Sequence, residues 1–259
     1  MPTHLTQDTH LAALAEATTH LTGHVAALDP AAPVPTCPGW TVRDLVAHQG
    51  AVHRWAEAAL RGVDLDWGPL EAEAADLPDG AALAGWLTDG VEPLVATIAA
   101  TPDDAEGVTF LKDAPSLPRF WARRQAHETT VHAVDALAAA LGRLPRTEET
   151  WVEHDLALDG IDELVLGFVP RRKMTLRSPE PVTLVIHPTD ADVAWTVHVT
   201  DEPAVSTRHD GPAAVADAVA DADHAVTGTA TELYLALWHR TDELRTAPIW
   251  PLWATSAVL

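Results

Sequence analysis

The N-terminal part of the chain alternates between runs whose apolar residues fall three and four positions apart and breaks rich in Pro and Gly. Leu11, Leu14, Thr18, Leu21, Val25 and Leu28 keep that spacing, which predicts a helix over about residues 9–28. Pro30, Pro33, Pro35 and Pro38 then forbid a helix and predict a rigid extended connection. A second helix is expected to start at Thr41, a good N-cap, with Asp44 placed for a capping box and an apolar face running to Leu60 before Gly62. Residues 63–80, acidic and punctuated by Gly and Pro, read as a long loop. A third helix is expected over residues 81–100, kinked or split at Pro93. The strongest helical pattern runs over residues 117–141, with Pro118 in its first turn and Gly142 at its end. Four helices joined by loops predict an antiparallel bundle.

Beyond Gly142 the pattern changes. Residues 147–167 read as a linking helix, and the runs 174–178, 182–188 and 193–200 alternate as three antiparallel strands. Residues 223–241 read as a short strand, a Gly turn and a helix. The expected fold class is therefore α+β, with a helical bundle over residues 1–146 and a linking helix plus a small α+β domain over residues 147–259.

Composition narrows the function classes. Sixteen Lys and Arg against 38 Asp and Glu give a formal net charge of −22, so the basic face that nucleic acid requires is missing. The single cysteine, Cys37, excludes an intrachain disulfide framework and a thiolate-rich metal site. No apolar run reaches a membrane span, and the first residues lack the pattern of a signal peptide, so a cytoplasmic location is expected. The Ala-, Val-, Asp- and Arg-rich composition with two lysines suits a GC-rich, actinobacterial-type genome.

Candidate chemistry lies in the fourth helix, which carries His127-Glu128-Thr129-Thr130-Val131-His132. At about 100° per residue, His127 and His132 stand roughly 140° apart and cannot share an ion, whereas Glu128 and His132 stand only about 40° apart. Glu128 and His132 are thus the plausible chelating pair, with a further ligand required from a facing helix. Helix two offers His48 and His53, five positions apart, of which His48 follows the apolar pair Leu45 and Val46. Such i,i+4 pairs also occur on solvated faces.

Residues 37–48 (CPGWTVRDLVAH) and 124–136 (RQAHETTVHAVDA) resemble the two signature segments of the mycothiol-dependent maleylpyruvate isomerase family, within the wider DinB-like metal-binding bundles. The resemblance places the metal ligands on His48, Glu128 and His132, the same three residues that the spacing selects. It extends to residues 226–233, which look like the family's turn into its last helix, in a domain akin to sterol carrier folds. One position departs: Gln125 stands three before Glu128 where the family has arginine, with Arg124 one further back.

The resemblance implies a divalent metal, zinc by its donor set, and mycothiol as a thiol cosubstrate. Two neutral imidazoles and one carboxylate leave zinc with a net positive charge, able to acidify a bound thiol or a water. Arg123 and Arg124 are candidates for holding a substrate carboxylate, and Asp135 for orienting a ligand imidazole. Cys37 reads as a packing residue remote from the ligands. Trp40, Trp55, Trp86 and Trp121 read as core. The expected activity is a metal-dependent thiol transferase or isomerase acting on an electrophilic small molecule. A non-catalytic small-molecule binder with a structural or absent metal, and a zinc-water hydrolase, stand as alternatives.

Overall fold

A computed structural model describes residues 3–254, which divide into two compact units at Pro145 and Arg146. In the first unit, α1 (Gln7–Ala27) packs on α4 (Gly80–Ala100) and α5 (Leu117–Leu141), and α2 (Val42–Leu60) packs on the same two helices. The core is built from the expected stripes: Leu14, Leu21 and Val25 of α1, Leu45 and Val46 of α2, and Leu83, Leu87, Leu94 and Ile98 of α4 are all fully or nearly fully buried.

The ends of the helices follow from local chemistry. The Thr6 hydroxyl accepts the Thr9 N–H at the start of α1, and the Asp79 carboxylate accepts the Ala82 N–H at the start of α4. Gly142 closes α5 with φ of 67°, a left-handed turn that glycine enters without a Cβ penalty.

Two expectations in this unit are corrected. The stretch 63–80 is not a plain loop, because α3 (Gly68–Ala75) forms within it. Pro69 occupies the first turn, and the Arg43 guanidinium donates to the carbonyls of Ala74, Ala75 and Leu77, capping the other end through a residue distant in sequence. Pro93 does not split α4, which continues unbroken from Gly80 to Ala100. Buried side chains on both sides of it, Leu83 and Leu87 before and Leu94 and Ile98 after, offset the roughly 3 kcal/mol that an interior proline costs.

The second unit is α+β. Its sheet has the order β3-β2-β1-β4, with β1 (Val182–Pro188) antiparallel to β2 (Val193–Val199), β2 antiparallel to β3 (Val205–Asp210), and β1 parallel to β4 (His224–Gly228). The parallel step needs a crossover, and α7 (Pro212–Asp221) supplies it, burying Val215 and Ala218 against Val185 and Ala194. After β4 come α8 (Ala230–Leu237), opened by a capping box between Thr229 and Glu232, and the short α9 (Trp250–Trp253).

The strand pattern was legible for β1, β2 and β4, while residues 174–178 form no strand and β3 takes the outer place instead. The alternation of Met174 and Leu176 reflects burial without a ladder, whereas β3 is a polar edge strand whose composition hides it. The expected linking helix breaks into a single 3-10 turn (Thr147–Glu149), α6 (His154–Asp162) and a π-helical turn (Glu163–Phe168). No helix among the described residues is long and apolar enough to cross a membrane.

Candidate metal centre

The site begins with a turn. Gly39 adopts φ of 90°, which lets the proline-rich segment double back so that Trp40 N donates to the Cys37 carbonyl and Val34 N donates to the Trp40 carbonyl. Thr41 then caps α2: its hydroxyl accepts from Asp44 N, and the Asp44 carboxylate accepts from Thr41 N at 2.8 Å. With the start of the helix pinned, His48 falls on the face toward α5.

There it meets Glu128 and His132. His48 Nε2 lies 3.6 Å from Glu128 Oε1, and His132 Nε2 lies 3.4 Å from the same oxygen. All three ligand atoms fall within 4.8 Å of one another. Two atoms each bonded at about 2.0–2.1 Å to a tetrahedral zinc stand about 3.4 Å apart, so the donor set fits such an ion in kind and in spacing. The side chains of His48 and Glu128 are 32% and 23% exposed while His132 is 6% exposed, which leaves one side of the cluster open.

Neighbouring side chains orient two of the candidate ligands, Glu128 and His132. Arg124 donates to Glu128 Oε2 at 2.6 Å, leaving Oε1 to the histidines. Burial pushes the Glu128 carboxyl up, but Arg124 and the hydrogen bonds of His132 and His48 outweigh it and hold the group well below the usual carboxylate range. Asp135 Oδ2 lies 2.8 Å from His132 Nδ1, an arrangement that turns Nε2 toward Glu128. Burial lowers the His132 pKa, and the flanking carboxylates of Asp135 and Glu128 reverse this to a net rise. The negative potential behind that rise also suits a metal cation.

Arg123 and Arg124, the candidate substrate-binding residues, are both buried, at 1% and 3% exposure. Arg124 is committed to Glu128, so an ion pair within α5 takes the guanidinium that the sequence offered to a substrate. Cys37 is not remote: its Sγ lies 3.4 Å from Asp135 Oδ2, the oxygen that also meets His132. The backward fold of the proline corner brings it there, which linear distance from His48 did not reveal.

His53 sits apart from the three. It is fully buried with Gln49 and Thr129, its Nε2 2.7 Å from Gln49 Nε2 and 2.9 Å from Thr129 Oγ1, and Gln49 donates to Thr129 at 3.1 Å. Burial, assisted by the charge of Arg54, lowers its pKa to about 3, so it is a neutral imidazole. Gln49 and Thr129 flank His48 and Glu128 in sequence, and this polar knot ties α2 to α5 beside the candidate ligands. Only the i,i+4 spacing of Gln49 and His53 hinted at it.

Residues 11–137 match the profile of the mycothiol maleylpyruvate isomerase N-terminal domain. The bundle belongs to this family. The crystal structure of the mycothiol-dependent maleylpyruvate isomerase superposes with a TM-score of 0.61 at 15% identity, over 94% of each chain. A histidine-to-alanine variant of that isomerase gives a TM-score of 0.57 at 15% identity, over 93% of this chain and 94% of the other. These likenesses establish a shared fold. No curated protein matches the sequence. Within the family's domain, the two segments that carried the resemblance are the ones that supply Trp40, His48, Glu128, His132 and Asp135 to this cluster.

Proposed function

We propose that the protein is a metal-dependent enzyme that brings a low-molecular-weight thiol such as mycothiol onto an electrophilic small molecule, with isomerisation or conjugation as the outcome. The observation that carries this reading is the convergence of His48 Nε2, Glu128 Oε1 and His132 Nε2 on one partly open point. The family of the bundle and the name of the superposed isomerase support the thiol.

His48, Glu128 and His132 would hold a divalent metal, zinc by its nitrogen and oxygen donors, whose Lewis acidity makes a thiol acidic enough to serve as a nucleophile near neutral pH. Asp135 fixes the His132 ring, and Arg124 keeps Glu128 ionised with its second oxygen occupied. The open side between His48 and Glu128 admits small molecules, while Trp40, 5.1 Å from the His48 ring and stacked 6.1 Å from His132, shields the histidines from bulk water. Cys37 points its thiol at a carboxylate, which favours the protonated form and argues for a thiol supplied from outside.

The test combines metal analysis with turnover. Purified protein is expected to hold about one equivalent of divalent metal and to act on an electrophile only with added thiol, and His48→Ala is expected to lose both. Turnover without any thiol would transfer the site to hydrolysis, and full metal in Glu128→Ala would overturn the ligand assignment.

A further inference from the structure

Beside the open side of the triad the bundle carries half-buried aromatic rings. The Trp40 ring lies 5.1 Å from His48, the Trp67 ring 6.1 Å from the same histidine, Trp55 6.1 Å from Trp67, and Phe110 6.1 Å from Trp55. All four rings remain partly exposed, whereas Trp86 and Trp121 are buried as core. Trp67 stands at the N-cap of α3, and Arg43 caps the other end of that helix through three carbonyls.

The exposed charges around this wall are mostly negative, with Lys112, two positions after Phe110, standing against them. The segment that carries Trp67 exposes Asp64, Asp66, Glu71, Glu73 and Asp76. The arginines on α2 and α5 face other partners or are buried: Arg43 donates to the Ala74, Ala75 and Leu77 carbonyls, Arg54 lies over the Trp86 ring and donates to the Gly50 and Trp86 carbonyls, Arg119 pairs with Asp103, Arg123 is buried, and Arg124 pairs with Glu128, while Arg61 just after α2 pairs with Glu57. Exposed aromatic faces beside such a field favour a flat ring without negative charge and disfavour a dianion.

We infer that the wall of Trp40, Trp67, Trp55 and Phe110 binds the electrophile, and that this electrophile is a planar, conjugated and uncharged molecule rather than a dicarboxylate. The inference rests on the proposed function for what happens to the bound ring, but the binding preference stands on the wall itself.

The test uses two unreactive probes, naphthol and naphthalene dicarboxylate, titrated calorimetrically into the full-length protein at low ionic strength, with metal content measured on the same samples. Naphthol is expected to bind at least tenfold more tightly. Trp67→Leu, which keeps apolar bulk and removes the ring face, is expected to weaken naphthol about fivefold with metal content unchanged. Asp64→Asn combined with Asp66→Asn is expected to strengthen the dicarboxylate severalfold and leave naphthol within twofold. Equal or tighter binding of the dicarboxylate, or an unchanged naphthol affinity in Trp67→Leu, overturns the inference. A protein that holds no metal yet prefers naphthol keeps the inference and removes the proposed function. A metal-bound protein without that preference does the reverse.

Discussion

The helix α5 and the two central strands of the second unit's sheet are both largely buried, yet they are built from opposite materials. α5 buries Arg123, Arg124, Gln125, His127, Thr129, Thr130, His132 and Asp135 along one helix. The central strands β1 and β2 bury Leu184, Val185, Ile186, Trp195, Val197 and Val199, all apolar side chains. Each buried polar group costs free energy unless it finds a partner, so such a density on one helix has to be explained by what the groups do together. In the sheet the polar exceptions have a structural task. Asp162 of α6 accepts from Trp195 Nε1 at 2.7 Å and pairs with Arg208, tying helix to strands.

The sharpest way to break this contrast is to remove one of the proposed metal ligands. His48→Ala or His132→Ala is expected to weaken metal binding by on the order of 1000-fold, measured by chelator competition, because a three-ligand site loses a third of its donors. Asp162→Ala is the counterpart in the second unit. It is expected to cost about 3 kcal/mol in denaturant unfolding, at the low end for a broken buried pair because Arg208 is 19% exposed, and to leave metal affinity alone. A metal defect in Asp162→Ala would erase the distinction between the two regions.

Smaller effects sharpen it. Asp135→Asn is expected to lower metal affinity roughly 10- to 100-fold, since the amide holds the His132 ring less firmly than the carboxylate does. Cys37→Ser is expected to retain most of the thiol-dependent rate, because a hydroxyl can still donate to Asp135. Loss of turnover in folded, metal-replete Cys37→Ser would replace the external thiol with a protein nucleophile.

The smallest effect is a pH dependence in the second unit. Burial pushes the Glu243 carboxyl up, but the hydroxyl and N–H of Thr147 and the hydroxyl of Thr241 overcome this and hold its pKa below the ordinary value. A carboxylate depressed on folding stabilises above its unfolded pKa of 4.5 and loses that contribution as the pH falls through the folded value. Glu243→Gln is expected to cost less than about 1 kcal/mol at neutral pH, where water screens the exposed group. The difference from wild type should fade in urea unfolding curves as the pH falls below 4.5 and through the lower folded value. A difference that persists in acid would deny the group its role.

What the sequence determined by itself is local. The stop at Gly142, the capping box at Thr41 and the i,i+4 pair of Glu128 and His132 depend on neighbours within one or two turns, and the structure reproduces them. The chain also determined its α+β class, because periods of about 3.6 and of 2 occupy different stretches. Tertiary structure decided what no period encodes. It set His48 beside Glu128 and sent His53 into the knot with Gln49 and Thr129, although both histidines share one helix. It turned Arg124 inward onto Glu128, brought Cys37 to Asp135 across 98 positions of sequence, and made a polar run, Val205–Asp210, into an edge strand. These outcomes depend on the separation and rotation of elements brought together by packing, and interactions of a few ångströms between distant residues leave no regular spacing along the chain.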